Sequence, residues 1–155
     1  MKTPLRWLAT LAVLIVVTLS GWLAWPQRPS QAIASAANQS MVSEVQVSLG
    51  TTDGALSFVP DRLDFTAGRR YKLVLSNPSP QKHYFTAKDF ADGIWTQKVE
   101  AGNVEIKGAI HELELRPGTT AEWFFTPLKS GTFELRCSIP GHAEAGMTGT
   151  ITIRS

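Results

Sequence analysis

Apolar and polar side chains alternate with a period of two in several short runs between residue 41 and the C-terminus. The apolar positions of these runs are Val45, Val47 and Leu49; Tyr71, Leu73 and Leu75; Leu113 and Leu115; Ala121, Trp123 and Phe125; Phe133 and Leu135; Ile151 and Ile153. Such alternation predicts strands with one buried face. Turn-forming pairs such as Asp53-Gly54, Asn77-Pro78 and Ser130-Gly131 separate the runs. Short strands at this spacing predict an all-β sandwich.

Residues 86–107 interrupt this rhythm. The stretch Thr86-Ala87-Lys88-Asp89 resembles a capping box, and Gly93 is suited to end a short helix. We interpret the segment as an insertion that decorates a crossover between two strands.

The N-terminal region carries information about the location of the protein rather than about its fold. After Lys2 and Arg6, the 19 residues of 7–25 carry no charge, and Arg28 follows them. This length suits a signal peptide or one hydrophobic helix that anchors the protein in a membrane. Small residues near Ala34 fit cleavage, whereas the tryptophans at both ends of the run fit retention, so both remain open. Residues 26–40 are expected to be a linker, and residues 41–155 the folded domain.

Composition excludes a disordered chain and a nucleic-acid-binding protein. With 43% hydrophobic and 18% charged residues, the chain can bury enough apolar surface to fold. The net charge is +2, but Lys2, Arg6 and Arg28 flank the N-terminal apolar run, and the remainder carries 12 basic against 13 acidic residues. No basic patch is left to bind nucleic acid.

The candidate chemistry lies in the eleven residues 137–147. Cys137 is the single cysteine, which excludes an intramolecular disulfide and any metal site built from several cysteines. Cys137 shares the strand parity of Leu135, and Met147 shares that of Ile151, so both are expected to point inward. A thiolate, the imidazole of His142 and a thioether on one loop are typical of a copper site.

A second imidazole is needed to complete such a site, and the sequence offers two. His83 follows a proline-rich turn, whereas His111 alternates with Leu113 and Leu115 inside a predicted strand. We favour His83, because a loop histidine can converge with the Cys137 loop at one end of the sandwich. For His111 we expect a hydrogen-bonded strand or rim position.

These residues resemble the cupredoxins, the small blue copper proteins. The resemblance runs over about residues 42–154, with the ligand loop as its most specific part. It is carried by Phe58-Val59-Pro60, the segment from Tyr71 to Asn77, His83, Pro117-Gly118, Gly131-Thr132-Phe133 and the loop from Cys137 to Met147. The loop spacing is longer than in plastocyanin and resembles auracyanin and rusticyanin. The segment around His83 also resembles exported bacterial cupredoxins linked to copper tolerance.

The resemblance implies a Greek-key β-sandwich with one type 1 copper bound by His83, Cys137, His142 and Met147. It implies a monomeric electron carrier rather than an enzyme, acting between redox partner proteins outside the cytoplasm, in a periplasm or lumen. Three histidines are too few for a trinuclear copper centre. The alternative function is copper binding for tolerance or delivery. Attachment to the membrane is expected only if residues 7–25 are not removed.

Overall fold

The computed structural model describes residues 41–155, which form two β-sheets and one short helix. The strands are β1 (Ser43–Leu49), β2 (Phe58–Val59), β3 (Arg62–Thr66), β4 (Tyr71–Ser76), β5 (His83–Thr86), β6 (Ile94–Ala101), β7 (Val104–Ile106), β8 (Glu112–Leu115), β9 (Thr120–Pro127), β10 (Gly131–Arg136) and β11 (Thr148–Arg154), and the helix is α1 (Lys88–Ala91).

The strands are divided between a six-stranded and a five-stranded sheet. The first has the order β2-β1-β4-β9-β6-β7, and the second has the order β3-β11-β10-β5-β8. The β1–β4 and β11–β3 pairs are parallel, whereas the other pairs are antiparallel. The chain passes repeatedly from one sheet to the other, and the predicted all-β Greek-key sandwich is confirmed.

The core lies between the sheets and is formed by the residues that the alternation places inward. Tyr71, Leu73 and Leu75 are buried along β4, and Ala121, Trp123 and Phe125 along β9. The half of the sandwich remote from the Cys137 loop holds a cluster of aromatic rings, in which Phe65 packs edge-on against Phe125 with ring centroids 5.2 Å apart. This packed interior gives the loops at the opposite end a rigid base.

The insertion at residues 86–107 contains more structure than predicted. The expected short helix is present, but Ala87 is its N-cap and no side chain caps it. Thr86 instead belongs to β5, and its hydroxyl donates a hydrogen bond to the Glu112 carboxylate at 2.7 Å. The capping-box interpretation was therefore wrong.

The same segment also supplies β6 and β7, which extend the six-stranded sheet beyond β9. The eight-residue β6 escaped prediction because its register shifts between Thr96 and Lys98. A bulge of this kind moves the buried positions from even-numbered to odd-numbered residues. Val99 is therefore buried, although a strict alternation counted from Ile94 would place it on the exposed face.

The signal peptide or anchor predicted at residues 1–25 and the linker at 26–40 lie outside the described residues. Within residues 41–155, no helix has the length and apolar character needed to cross a membrane.

Candidate metal centre

The four candidate ligand residues lie at one end of the sandwich because of where three strands begin or end. His83 is the first residue of β5, Cys137 directly follows β10, and Met147 directly precedes β11. Since β10 and β11 pair as antiparallel neighbours with Arg136 opposite Thr148, Cys137 and Met147 leave the sheet side by side. His142 lies in the loop that joins them.

Backbone hydrogen bonds fold the loop of residues 137–147 into consecutive turns. The Cys137 N–H donates to the Met147 carbonyl at 3.1 Å, which closes the base of the loop. The Met147 N–H donates to the His142 carbonyl at 2.9 Å, so the methionine and this histidine are held together. Gly141 has φ 85°, a left-handed conformation that favours glycine and that turns the chain just before His142.

The structure brings the ligand atoms of His83, Cys137 and His142 within 4.8 Å of one another. Cys137 Sγ lies 3.5 Å from His142 Nδ1. Cys137, Met147 and His83 are buried, whereas His142 is only partly buried. The cluster is therefore a compact set of donors with a single imidazole that reaches the surface.

His83 is the residue whose surroundings fit a metal most directly. Its side chain is 0% exposed, and neither Nδ1 nor Nε2 has a hydrogen-bond partner among the described residues. Buried polar atoms almost always have hydrogen-bond partners. Two unpartnered nitrogens on one ring therefore indicate that His83 binds a further group, such as a metal ion. Burial, with a smaller contribution from His142, lowers the pKa of His83. A neutral imidazole is the form that binds a metal.

Cys137 has one partner that the sequence did not reveal. The Tyr84 backbone N–H donates to Cys137 Sγ at 3.4 Å. An N–H group aimed at a thiolate stabilises its negative charge, and hydrogen bonds around the sulfur tune the potential of a copper–thiolate site. Tyr84 directly follows His83, so one peptide segment contacts both the thiol and the imidazole of the cluster. A backbone donor leaves no signature in the residue type and is invisible to motif analysis.

The competing histidine is elsewhere. His111 does not belong to the cluster; its Nε2 lies 2.7 Å from Asp92 Oδ1, and its side chain is 41% exposed. It directly precedes β8, at the opposite end of that strand from Leu115, the register partner of His83. The geometry agrees with the hydrogen-bonded rim position expected for His111.

A family model described as copper binding proteins, plastocyanin/azurin family, matches residues 45–154. The chain is 33% identical over 125 residues to a chloroplastic plastocyanin of Fritillaria agrestis, covering 78% of this chain and 68% of that protein. It is 30% identical over 112 residues to a plastocyanin of Rumex obtusifolius, covering 71% of this chain and all of that protein.

A solved structure of reduced auracyanin from Roseiflexus castenholzii has the same fold, with a TM-score of 0.54 and 18% identity over 73% of this chain and 98% of that one. The family match covers the strands except the first two residues of β1, together with the complete Cys137–Met147 loop, and it agrees with the donor set found at the end of the sandwich. The chain therefore belongs to the plastocyanin/azurin family of copper-binding proteins, which confirms the copper cofactor and the blue copper electron-carrier class predicted from the sequence.

Proposed function

We propose that His83, Cys137, His142 and Met147 bind one copper ion as a type 1 site, and that the protein passes single electrons between redox proteins. The observation that carries this proposal is the convergence of the single thiol with two imidazoles within 4.8 Å, beside a buried methionine. Two imidazoles, a thiolate and a weak axial thioether form the donor set of blue copper electron-transfer sites. When bound, copper supplies the exchange of one electron between Cu(I) and Cu(II).

The protein's own contribution is to keep these donors in place. Three of the four side chains are anchored by β5, β10 and β11, and the loop between them is closed by its own hydrogen bonds. The ring nitrogens of His83 have no hydrogen-bond partner among the described residues. No protein group therefore has to be displaced before His83 binds a metal. Donors held in this way change little between two oxidation states, which favours rapid electron transfer.

His142 is the proposed point of electron exchange. It is the only one of the four side chains that is not fully buried, and its neighbours Ile139, Pro140 and Ala143 carry no charge. A rim that is uncharged apart from the exposed Glu144 is suited, around a partly exposed ring, to brief contacts of small area with a redox partner.

We assign the protein no catalytic role. Within residues 41–155, the cluster around Cys137 is the one group of histidine, cysteine and acidic side chains arranged to hold a metal. A solved multicopper oxidase from Aquifex aeolicus shares the fold, with a TM-score of 0.57, but this chain spans only 30% of that enzyme at 12% identity. That likeness concerns the sandwich and carries no activity with it.

The uncharged segment at residues 7–25 leads us to propose that the domain acts outside the cytoplasm. The positive residues before the segment favour export of the domain on its C-terminal side. Membrane fractionation with N-terminal sequencing tests this. A mature N-terminus near Ser35 or Ala37 in the soluble fraction would show cleavage, whereas an intact chain in the membrane fraction would show an anchor.

The decisive experiment is a redox titration of the copper-loaded fragment 41–155, in which visible absorption is measured at each potential. We expect an intense thiolate-to-copper band that disappears reversibly on reduction, and its complete loss in Cys137→Ser, because Cys137 is the only thiol. A colourless wild type containing one bound copper would refute the type 1 site. Electron-transfer rates with candidate cytochromes then test the carrier role.

A further inference from the structure

We propose that Gly50 is a positioning residue of the metal centre, whose missing side chain fixes the orientation of the His83 ring. The inference rests on the proposed role of His83 as a ligand and concerns how that ligand is aimed. Gly50 is buried and directly follows β1, on the sheet opposite the one that carries His83.

The contact between the two residues is too close for any side chain on Gly50. A Cβ atom placed there would lie 2.8 Å from His83 Nε2 and 3.1 Å from its Cδ2. Real Cβ atoms essentially never come within 3.0 Å of a heavy atom outside their own and the two adjacent residues. The ring edge therefore occupies the space of the side chain that glycine lacks.

Gly50 cannot easily move away from the ring. Its N–H donates to the Ser57 carbonyl at 2.7 Å, and its φ of 74° lies in the left-handed region. The β-carbon position is also only 2.8 Å from Ser79 Cβ. The backbone of Gly50 is thus held between its own hairpin and the loop that precedes His83.

That loop is itself fixed by the buried side chain of Asn77. Asn77 Nδ2 donates to the carbonyls of Gln81 and Leu115, each at 2.8 Å, and its Oδ1 accepts from the Ser79 N–H at 2.9 Å. The amide group uses both hydrogens and its oxygen to hold the loop. Because the loop is fixed, the backbone that leads to His83 cannot move away from Gly50 without breaking these bonds.

The contact determines which nitrogen faces the other donors. Nε2 and Cδ2 form the ring edge that lies against Gly50. Nδ1 is at the opposite vertex of an imidazole ring, so it is the nitrogen that is turned away from Gly50 and that would be free to hold the ion. Gly50 thus acts on the metal only through His83, in the manner of outer groups that orient a ligand.

The test compares Gly50→Ala with Gly68→Ala. Gly68 has nearly the same φ, 78°, but no atom within 4 Å of its β-carbon position. Both variants carry the cost of alanine at positive φ, and only Gly50→Ala presses on the ring. We expect Gly50→Ala to change the visible and electron paramagnetic resonance spectra and to weaken copper binding about ten- to hundredfold. Gly68→Ala should leave both at wild-type values.

The copper-free proteins provide a readout that does not depend on the type 1 assignment. We expect the NMR signals of the His83 ring to shift in Gly50→Ala and to stay in place in Gly68→Ala. If the wild type has no thiolate-to-copper band, the proposed function fails, while the ring shift still tests the contact with Gly50.

Two results would overturn the inference. The first is a folded Gly50→Ala protein with wild-type spectra, copper affinity and His83 signals. The second concerns folding: the double variant Gly50→Ala/His83→Ala removes the contact with the ring and keeps the 2.8 Å contact with Ser79. If neither this variant nor Gly50→Ala folds while Gly68→Ala does, Gly50 serves the fold and not the ring. His83→Ala alone is the matched control.

Discussion

His83 and His111 lie at opposite ends of the paired strands β5 and β8, in opposite environments. His83 faces Leu115 in the register, and the His111 carbonyl accepts a hydrogen bond from Ala87, just beyond the other end of β5. Leu115 is four positions after His111, roughly 13 Å along a strand. His83 is fully buried without a hydrogen-bond partner, whereas His111 is 41% exposed and paired with Asp92.

The difference shows that position along a strand decides what a histidine can do. We call the His83 end the open end. There the loop of residues 137–147 places Cys137 and His142 beside His83, whose ring nitrogens have no hydrogen-bond partner among the described residues. At the His111 end, which we call the closed end, α1 and the aromatic cluster seal the core. The open end is therefore suited to chemistry, and the closed end to stability.

The strongest test of this comparison replaces each histidine with alanine. His83→Ala should abolish the blue absorption, because the open end then lacks one of its two imidazoles. His111→Ala should keep the band unchanged, since it removes only a half-exposed pair with Asp92. Visible spectroscopy after copper loading, with circular dichroism to verify folding, makes the measurement. Loss of colour in folded His111→Ala would reverse the assignment of the two ends.

The next largest effect is expected from Phe90→Ala at the closed end. Phe90 is 0% exposed; its ring stacks on Phe65 at 5.8 Å and meets Phe125 edge-on at 5.4 Å. Truncation of a buried phenylalanine costs about 3–5 kcal/mol of unfolding free energy. Urea unfolding of the copper-free protein measures this loss.

The copper spectrum of Phe90→Ala should match that of the wild type once the protein is folded. Phe90→Leu is the control, since it retains more of the volume and should lose less stability. A changed spectrum in Phe90→Ala would show that the two ends are coupled through the core.

A smaller effect, confined to the open end, is expected at Met147. A thioether prefers Cu(I), so Met147→Gln should lower the reduction potential by offering an oxygen donor. Met147→Leu should raise the potential, because it replaces a donor with an apolar side chain and makes the surroundings of the site more hydrophobic. Copper content should remain close to one ion in both variants.

The Met147 variants also separate two functions. For an electron carrier, rates with redox partners should follow the measured potential. Growth under copper stress that follows copper affinity and ignores potential would favour the tolerance role.

The smallest effect is expected from Thr86→Val, at the buried last residue of β5. The Thr86 hydroxyl donates to Glu112 at 2.7 Å and is the main cause that lowers the pKa of that carboxyl. Its removal should raise the Glu112 pKa toward 4.5, measured by NMR titration. The copper spectrum should not change. An unchanged Glu112 pKa would contradict this expectation. It would show that the hydrogen bond from Ser138 is sufficient to keep the pKa of Glu112 low.

Much of the sandwich can be predicted from the sequence because alternation records which face of a strand is buried. It placed Cys137 and Met147 inward, and both are buried. The spacing within residues 137–147 also indicated copper, since few residue types can supply such donors. The donor cluster was thus accessible from residue identity together with parity.

The features that escaped prediction depend on the backbone. The β6 strand was missed because its bulge breaks the alternation. The Tyr84 N–H that contacts Cys137 and the close approach of Gly50 to His83 involve no side-chain functional group on Tyr84 or Gly50. Contacts of this kind become visible only when distant segments are placed side by side.

The hydrogen bond from the Cys137 N–H to the Met147 carbonyl has a consequence for how this protein can diverge. It closes the loop at its root, directly beyond the last strand pair, Arg136 with Thr148. Insertions or deletions between the two residues leave the register of both strands untouched. Natural selection can thus revise the length and electrochemistry of this segment while the scaffold is inherited unchanged, which makes the loop an exchangeable module on a constant frame.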